Sequence, residues 1–98
     1  MVPTKKPVIW YHEAKNELVE ILDFFDERNG SCLYSRKLYD KIEKRLKLVA
    51  DDCLLGEETN RENIRRLVVE NYSIIYRIRS DAVEVLSIRD GRRGDEKV

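Results

Sequence analysis

Ninety-eight residues make one domain with room for a single, modest core. Apolar residues make up 42% of the chain and charged residues 39%, the balance of a soluble globular protein with a thickly charged surface. Nineteen Lys and Arg offset nineteen Asp and Glu, which argues against a protein held on bulk nucleic acid by charge alone, because that affinity scales with the phosphates neutralised.

The charge is uneven along the chain. Residues 1–60 carry ten basic and twelve acidic groups (−2), and residues 61–98 carry nine and seven (+2). Cys32 and Cys53 form no C-x-x-C and the one histidine is His12, so no zinc site is expected, and no cofactor. The cysteines read as free thiols in a reducing compartment. MVPTKKP is followed by no apolar signal region, and no stretch approaches membrane-spanning length. The expectation is a cytoplasmic protein with no membrane partner.

In chain order, Pro3 and Pro7 favour an extended start, and PVIWY reads as a short strand near 7–11. Ala14, Leu18, Ile21, Leu22 and Phe25 then fall on one face of a helix over 13–28, stopped by Asn29-Gly30. Ser31 can cap a second helix over 31–50, whose stripe is Tyr34, Leu38, Ile42, Leu46 and Val49. Two amphipathic helices joined so closely must run antiparallel. DDCLLGEETNRE breaks both periods and reads as a loop.

After residue 62 the pattern becomes extended and β-branched. Strands are expected near 63–69, 72–79 and 82–89, with tight turns at Glu70-Asn71 and Ser80-Asp81 that exploit the tolerance of Asn and Asp for positive φ. The fold class is α+β: an N-terminal strand, an antiparallel helical hairpin, then a three-stranded antiparallel meander, in the order β-α-α-β-β-β. All of it forms one domain over 1–98, with 91–98 expected as a flexible tail. Ile74-Ile75 and Val68-Val69 are apolar on both parities, so the central strands are expected to be buried on both faces over part of their length.

No G-x-S-x-G, Cys-His pairing, Walker loop or H-E-x-x-H is present. Any catalysis would rest on arginines, tyrosines and carboxylates gathered by the fold. Phosphodiester cleavage can work so, with arginine neutralising the developing charge and a tyrosine or carboxylate moving protons. The candidates are Arg65, Arg92 and Arg93 for charge, Tyr72 or Tyr76 for proton transfer, and Glu57, Glu58 or Glu62 as a base. His12 reads as a surface or first-turn residue.

VIWYHEA, LVEILDFF, a second helix ending before LLG, IRRLVVENYSIIYRI and EVLSIRDGRR together resemble the RelE/ParE superfamily of bacterial type II toxins, over about residues 8–93. The resemblance lies in a series of weak motifs: W-x-x-x-A at Trp10 and Ala14, L-G at Leu55-Gly56, R-x-L-x-V-x-N-Y from Arg65 to Tyr72, and D-x-R at Asp90 and Arg92. It implies two antiparallel helices on a twisted sheet, with the N-terminal strand beside the meander.

It also implies partners. Such a toxin is neutralised by a cognate antitoxin and meets operator DNA only through it. ParE-like members inhibit growth by binding an essential target such as DNA gyrase; RelE-like members are ribosome-dependent mRNA endonucleases. This chain lacks the terminal His-Tyr of some of those nucleases, has Ser73 where some keep arginine, is neutral rather than basic, and carries Arg89 where similar endings often hold an aromatic residue. These departures favour the ParE-like branch.

On the ParE-like reading, Arg65, Asp90, Arg92 and Arg93 are expected to contact the target. On the alternative, Arg65, Tyr76 and Arg92 would carry the nuclease chemistry. Trp10, Leu33, Tyr34 and Leu54, apolar residues outside the clearest core stripe, are expected to meet the antitoxin. An inactive member retained as an autoregulatory partner is a third reading.

Overall fold

The computed structural model describes residues 6–90. Its elements are β1 (Val8–Trp10), α1 (His12–Asn29), α2 (Leu33–Asp51), β2 (Glu57–Glu58), β3 (Ile64–Val69), β4 (Tyr72–Ile78) and β5 (Val83–Asp90). They form a five-stranded sheet in the order β1-β5-β4-β3-β2. The meander β3-β4-β5 is antiparallel throughout, and β1 joins its β5 edge in parallel. The expected α+β fold is the observed one.

The α1 stop works as its residues dictate. Gly30 adopts φ 68 and its N–H bonds the Asp26 carbonyl at 2.9 Å, the left-handed terminus that glycine reaches without a Cβ penalty. The second helix begins later than Ser31. Cys32 is its N-cap, and the Ser31 hydroxyl accepts instead from the Leu33 N–H at 3.3 Å. A second serine, Ser35, is buried and donates to the Asp26 carboxylate, tying the two helices together.

Both helices lie on one face of the sheet. Ala14 and Leu18 of α1 and Leu38, Ile42, Leu46 and Val49 of α2 join Leu67, Val69, Tyr72, Ile74, Tyr76, Val83, Val85 and Ile88 in a single core. The shared parity holds along β3 and β4. On β5 it is kept by a bulge: Ile75 pairs with Ser87 but Tyr76 with Val85, so Leu86 is the extra residue and the inward parity moves from Val85 to Ile88.

The expected partial double burial of the central strands is limited on the open face, where Ile75 is half-buried and Val68 is 43% exposed. Two expectations are corrected. The predicted loop after α2 contains a two-residue strand, Glu57–Glu58, paired with Arg66 and Arg65. In the β3–β4 turn it is Glu70, not Asn71, that takes positive φ, at 56. Because Val69 pairs with Tyr72, Glu70 is the first of two loop residues, and its carboxylate is held by Lys41 of α2.

Candidate functional site

Two of the residues singled out as nuclease candidates meet at one corner, and the fold uses both. Arg65 and Tyr76 are cross-strand partners on the helix-facing side of β3 and β4. The Tyr76 side chain is 0% exposed. Its hydroxyl donates to the Cys53 carbonyl at 2.8 Å and accepts the Gly56 N–H at 2.9 Å. Burial raises its pKa above the ordinary phenol value, against the lowering effects of the Gly56 N–H and the nearby Arg65 charge. Arg65 donates to the Gly56 carbonyl at 2.7 Å and the Leu54 carbonyl at 3.3 Å. Together they clamp the segment that leaves α2.

Gly56 is obligatory there. A Cβ would lie 2.7 Å from the Tyr76 hydroxyl oxygen and 2.8 Å from the Arg66 carbonyl oxygen. The loop glutamates offered as bases are engaged or remote from this corner. Glu57 pairs with Arg66 at 2.7 Å on the open face, Glu58 lies 3.5 Å from Arg65, and Glu62 is exposed. Tyr72 is buried in the core at the far end of β4. His12 is the first residue of α1 and is exposed.

A groove of about 400 Å³ lies between β1 and α2. Val8 and Trp10 alternate onto its side of β1, and Leu46 and Ala50, one helical turn apart, form the α2 floor. Lys6, Glu43 and Lys47 line it with charge. Residue 6 is tied to the end of α2 by a Lys6 N–H to Ala50 carbonyl bond of 3.5 Å. β1 is also an edge strand. Since the Pro7 carbonyl and Tyr11 N–H bond to β5, the parallel pattern turns the backbone groups of Val8 and Trp10 outward.

The four apolar residues singled out from the sequence do not share one pocket. Trp10 lines the groove. Leu33, 68% exposed, and Tyr34 sit at the start of α2, where the Tyr34 ring packs edge-on against Phe25 with centroids 4.7 Å apart. Leu54, 64% exposed, lies beyond the other end of that helix. A 19-residue helix is about 28 Å long, so Leu33 and Tyr34 lie a helix length away from Leu54, and Tyr34 faces α1 rather than the groove. Lys6, Val8, Glu43, Leu46, Lys47 and Ala50 were not singled out as binding residues. The i, i+4 pair of Leu46 and Ala50 opposite the Val8/Trp10 alternation was the signal available.

Of the residues expected to meet a target, Arg65 is held at the corner just described. Asp90 ends β5 and lines a separate hollow against α1. Arg92 and Arg93 lie outside the described residues.

A helical hairpin laid on one face of such a sheet, with an edge strand and a helix framing a groove, defines the RelE/ParE-like fold class. The family profile described as the ParE toxin of type II toxin–antitoxin systems, parDE, matches residues 8–94. The chain belongs to this family. Among solved structures it superimposes on a chain of the chromosomal ParDE TA system from P. aeruginosa with a TM-score of 0.74 at 19% identity, covering 88% of this chain and 96% of that one. It also resembles TrmO from P. aeruginosa, with a TM-score of 0.53 and 14% identity over 91% of this chain but only 35% of the other. Both likenesses concern the fold. No curated protein matches in sequence. Among the described residues no helix is long and apolar enough to cross a membrane.

Proposed function

We propose that this ParE-family chain arrests bacterial growth by binding an essential target, with DNA gyrase the first candidate, and that a cognate antitoxin neutralises it by docking along α2 and the β1 edge. The observation that carries the binding reading is the groove: an apolar floor, charged lining and outward-facing strand backbone suit a segment that folds on contact. Leu33, Tyr34 and Leu54 are the further apolar residues proposed to meet the antitoxin. Asp90, with Arg92 and Arg93 after it, is the proposed target-contacting end. Operator DNA would be reached only through the antitoxin.

The mRNA-endonuclease alternative is weakened by the Arg65–Tyr76 corner. A general acid or base must present its proton to the substrate, whereas the Tyr76 hydroxyl is buried with both a donor and an acceptor already satisfied. The test has three parts. Induction should arrest growth, and co-expression of the neighbouring reading frame should restore it and give a co-purifying complex. Purified protein should inhibit gyrase supercoiling while leaving ribosome-bound message intact by primer extension. A-site cleavage lost in Tyr76→Phe would overturn the proposal in favour of the nuclease.

A further inference from the structure

Among the described residues no helix lies on the open face of the sheet, since both helices pack on the other side. Cross-strand register lays the centre of this face out in two adjacent rows. Val68, Ser73 and Arg89 stand side by side across β3, β4 and β5, and Arg66, Ile75 and Ser87 form the next row. The two small serines keep the centre low, while Val68, 43% exposed, and half-buried Ile75 give it an apolar floor. Arginines stand at opposite corners. Arg89 is exposed and makes no hydrogen bond or ion pair among the described residues. Arg66 lies 2.7 Å from Glu57, but their side chains are 47% and 64% exposed, and so solvated a pair yields readily to a competing carboxylate. Farther along the face Arg77 and Arg79 share Glu84. Arg66, Arg77, Arg79 and Arg89 thus face Glu57 and Glu84, a local excess of two positive charges in a chain of zero net charge.

We infer that this open face is a contact surface for the growth-arrest target, and that it takes an extended acidic protein segment with carboxylates at i and i+4 and an apolar side chain at i+2. The inference rests on the target-binding reading above and adds the surface and the chemistry of the partner. Neighbouring strands lie ~4.8 Å apart and same-face residues ~6.8 Å apart along each, so Arg89 and Arg66 stand roughly 12 Å apart on the diagonal. In an extended chain the side chains of i and i+4 lie ~13 Å apart on one side, with i+2 midway. The midpoint here falls between Ser73 and Ile75, where an apolar side chain meets the floor. A guanidinium at each end can fork onto a carboxylate. Arg89 also directly precedes Asp90, the end of β5 proposed to meet the target. The occupant is protein rather than nucleic acid, because none of the outward side chains of β3, β4 and β5 is aromatic and bases find no stacking platform. Tyr11, at the rim, is engaged with Arg77 and Glu84.

The experiment compares growth arrest on induction across variants of the full chain, with thermal melts of each protein made by cell-free synthesis. Val68→Glu with Arg89→Glu should raise the inducer needed for half-arrest about tenfold or more, through like-charge repulsion of the acidic segment. Arg89→Lys keeps the charge and should stay within about twofold of the wild type. Because the paired reversal risks loosening the sheet, Arg89→Gln, which brings no repulsion, reads the contact alone and should cost about threefold. A direct probe is the nonapeptide Glu-Ser-Val-Ser-Glu-Ser-Val-Ser-Glu, titrated into the protein at low salt and followed by NMR. It should shift the amides of Ser73, Ile75 and Arg89 and lose that effect in Arg89→Gln, while the same peptide with Lys in place of Glu should shift none of them. Folded variants that arrest growth as the wild type does would overturn the inference and leave target binding standing. A wild-type chain that arrests no growth would overturn the target reading and this inference with it. Tighter binding of a labelled single-stranded oligonucleotide than of the peptide, lost in Arg89→Gln, would overturn it by making the face a nucleic-acid surface.

Discussion

The Gly56 N–H donates to the Tyr76 hydroxyl at 2.9 Å, and a Cβ at position 56 would stand 2.7 Å from that same oxygen. The pair is therefore a close-approach contact in which the small residue and the large one require each other. Gly56→Ala should destabilise the protein by about 1–3 kcal/mol through overpacking. Tyr76→Phe strands the Gly56 N–H and the Cys53 carbonyl and should cost about 1–3 kcal/mol. The double variant should lose less than the sum, since removing the hydroxyl removes one of the clashes. Urea denaturation of the four proteins closes this cycle. A Tyr76→Phe protein of unchanged stability that no longer arrests growth would mean the hydroxyl acts on a target rather than on the loop.

Arg65 holds the same segment from the other side, through the carbonyls of Gly56 and Leu54. Hydrogen bonds from a charged donor are each worth about 1.5–3 kcal/mol. Arg65→Ala should therefore speed amide exchange over residues 53–56 while leaving the helical hairpin protected. Arg65→Lys should recover only part of the protection, because one ammonium cannot reproduce the fork. Uniform loss of protection across both helices would show that the arginine supports the whole fold.

Glu70 carries φ 56 at the first loop position of the β3–β4 hairpin, a conformation costing a non-glycine residue roughly 1–2 kcal/mol. Its compensation is the ion pair with Lys41, whose side chains are 59% and 39% exposed, and such surface pairs contribute about 0–1 kcal/mol. Glu70→Gly should accordingly be neutral to stabilising, by up to about 1 kcal/mol, while Lys41→Ala should be mildly destabilising. Thermal melts of the two variants decide the point: a clear loss in Glu70→Gly would mean the ion pair outweighs the backbone strain.

Glu84 anchors a cluster on the open face. Burial pushes its pKa up, but hydrogen bonds from Arg77 and Tyr11, with the charges of Arg77 and Arg79, hold it below the ordinary value of 4.5. A carboxyl whose folded pKa is depressed contributes stability that is fully present above the unfolded pKa and is lost as pH falls through the folded one. Stability should therefore decline below about pH 4.5 as Glu84 protonates, and Glu84→Gln should flatten that part of the profile. Denaturation midpoints of both proteins through this range are the measurement, and superimposable slopes would assign the acid sensitivity to other carboxylates.

Trp10 lines the groove from an edge strand, opposite Leu46 and Ala50. If the antitoxin docks there, Trp10→Ala should weaken the complex by about 2 kcal/mol or more, the effect of removing an aromatic anchor. Leu33→Ala, at the exposed start of α2, should weaken it less. Calorimetric titration of each variant with the purified antitoxin tests the order. An unchanged affinity in Trp10→Ala would move the docking site away from β1.

Local pattern determined much of this molecule. The i, i+4 spacing of Ala14 and Leu18 and of Leu38, Ile42 and Leu46 marked both helices and their buried faces. Asn29-Gly30 marked the turn between them, and the β-branched run after residue 62 marked the meander. Each of these signals acts between near neighbours in the chain, through backbone preference and one-sided burial, so no knowledge of the fold was needed. The short motifs carrying the family resemblance were legible for the same reason, and Leu55-Gly56 marks the tight approach to Tyr76.

Only the tertiary structure decided what the singled-out polar residues do. Arg65 and Tyr76 suit phosphate chemistry by type, but cross-strand register and the return of residues 53–56 consume their hydrogen bonds inside the fold. The bulge at Leu86, which sends Ile88 inward, and the strained turn at Glu70 depend on how the strands register and where α2 lies. The β1–α2 groove likewise unites residues up to 44 positions apart, from Lys6 to Ala50. Contacts between distant residues are set by sheet order and helix placement, and a one-dimensional periodicity carries no term for them.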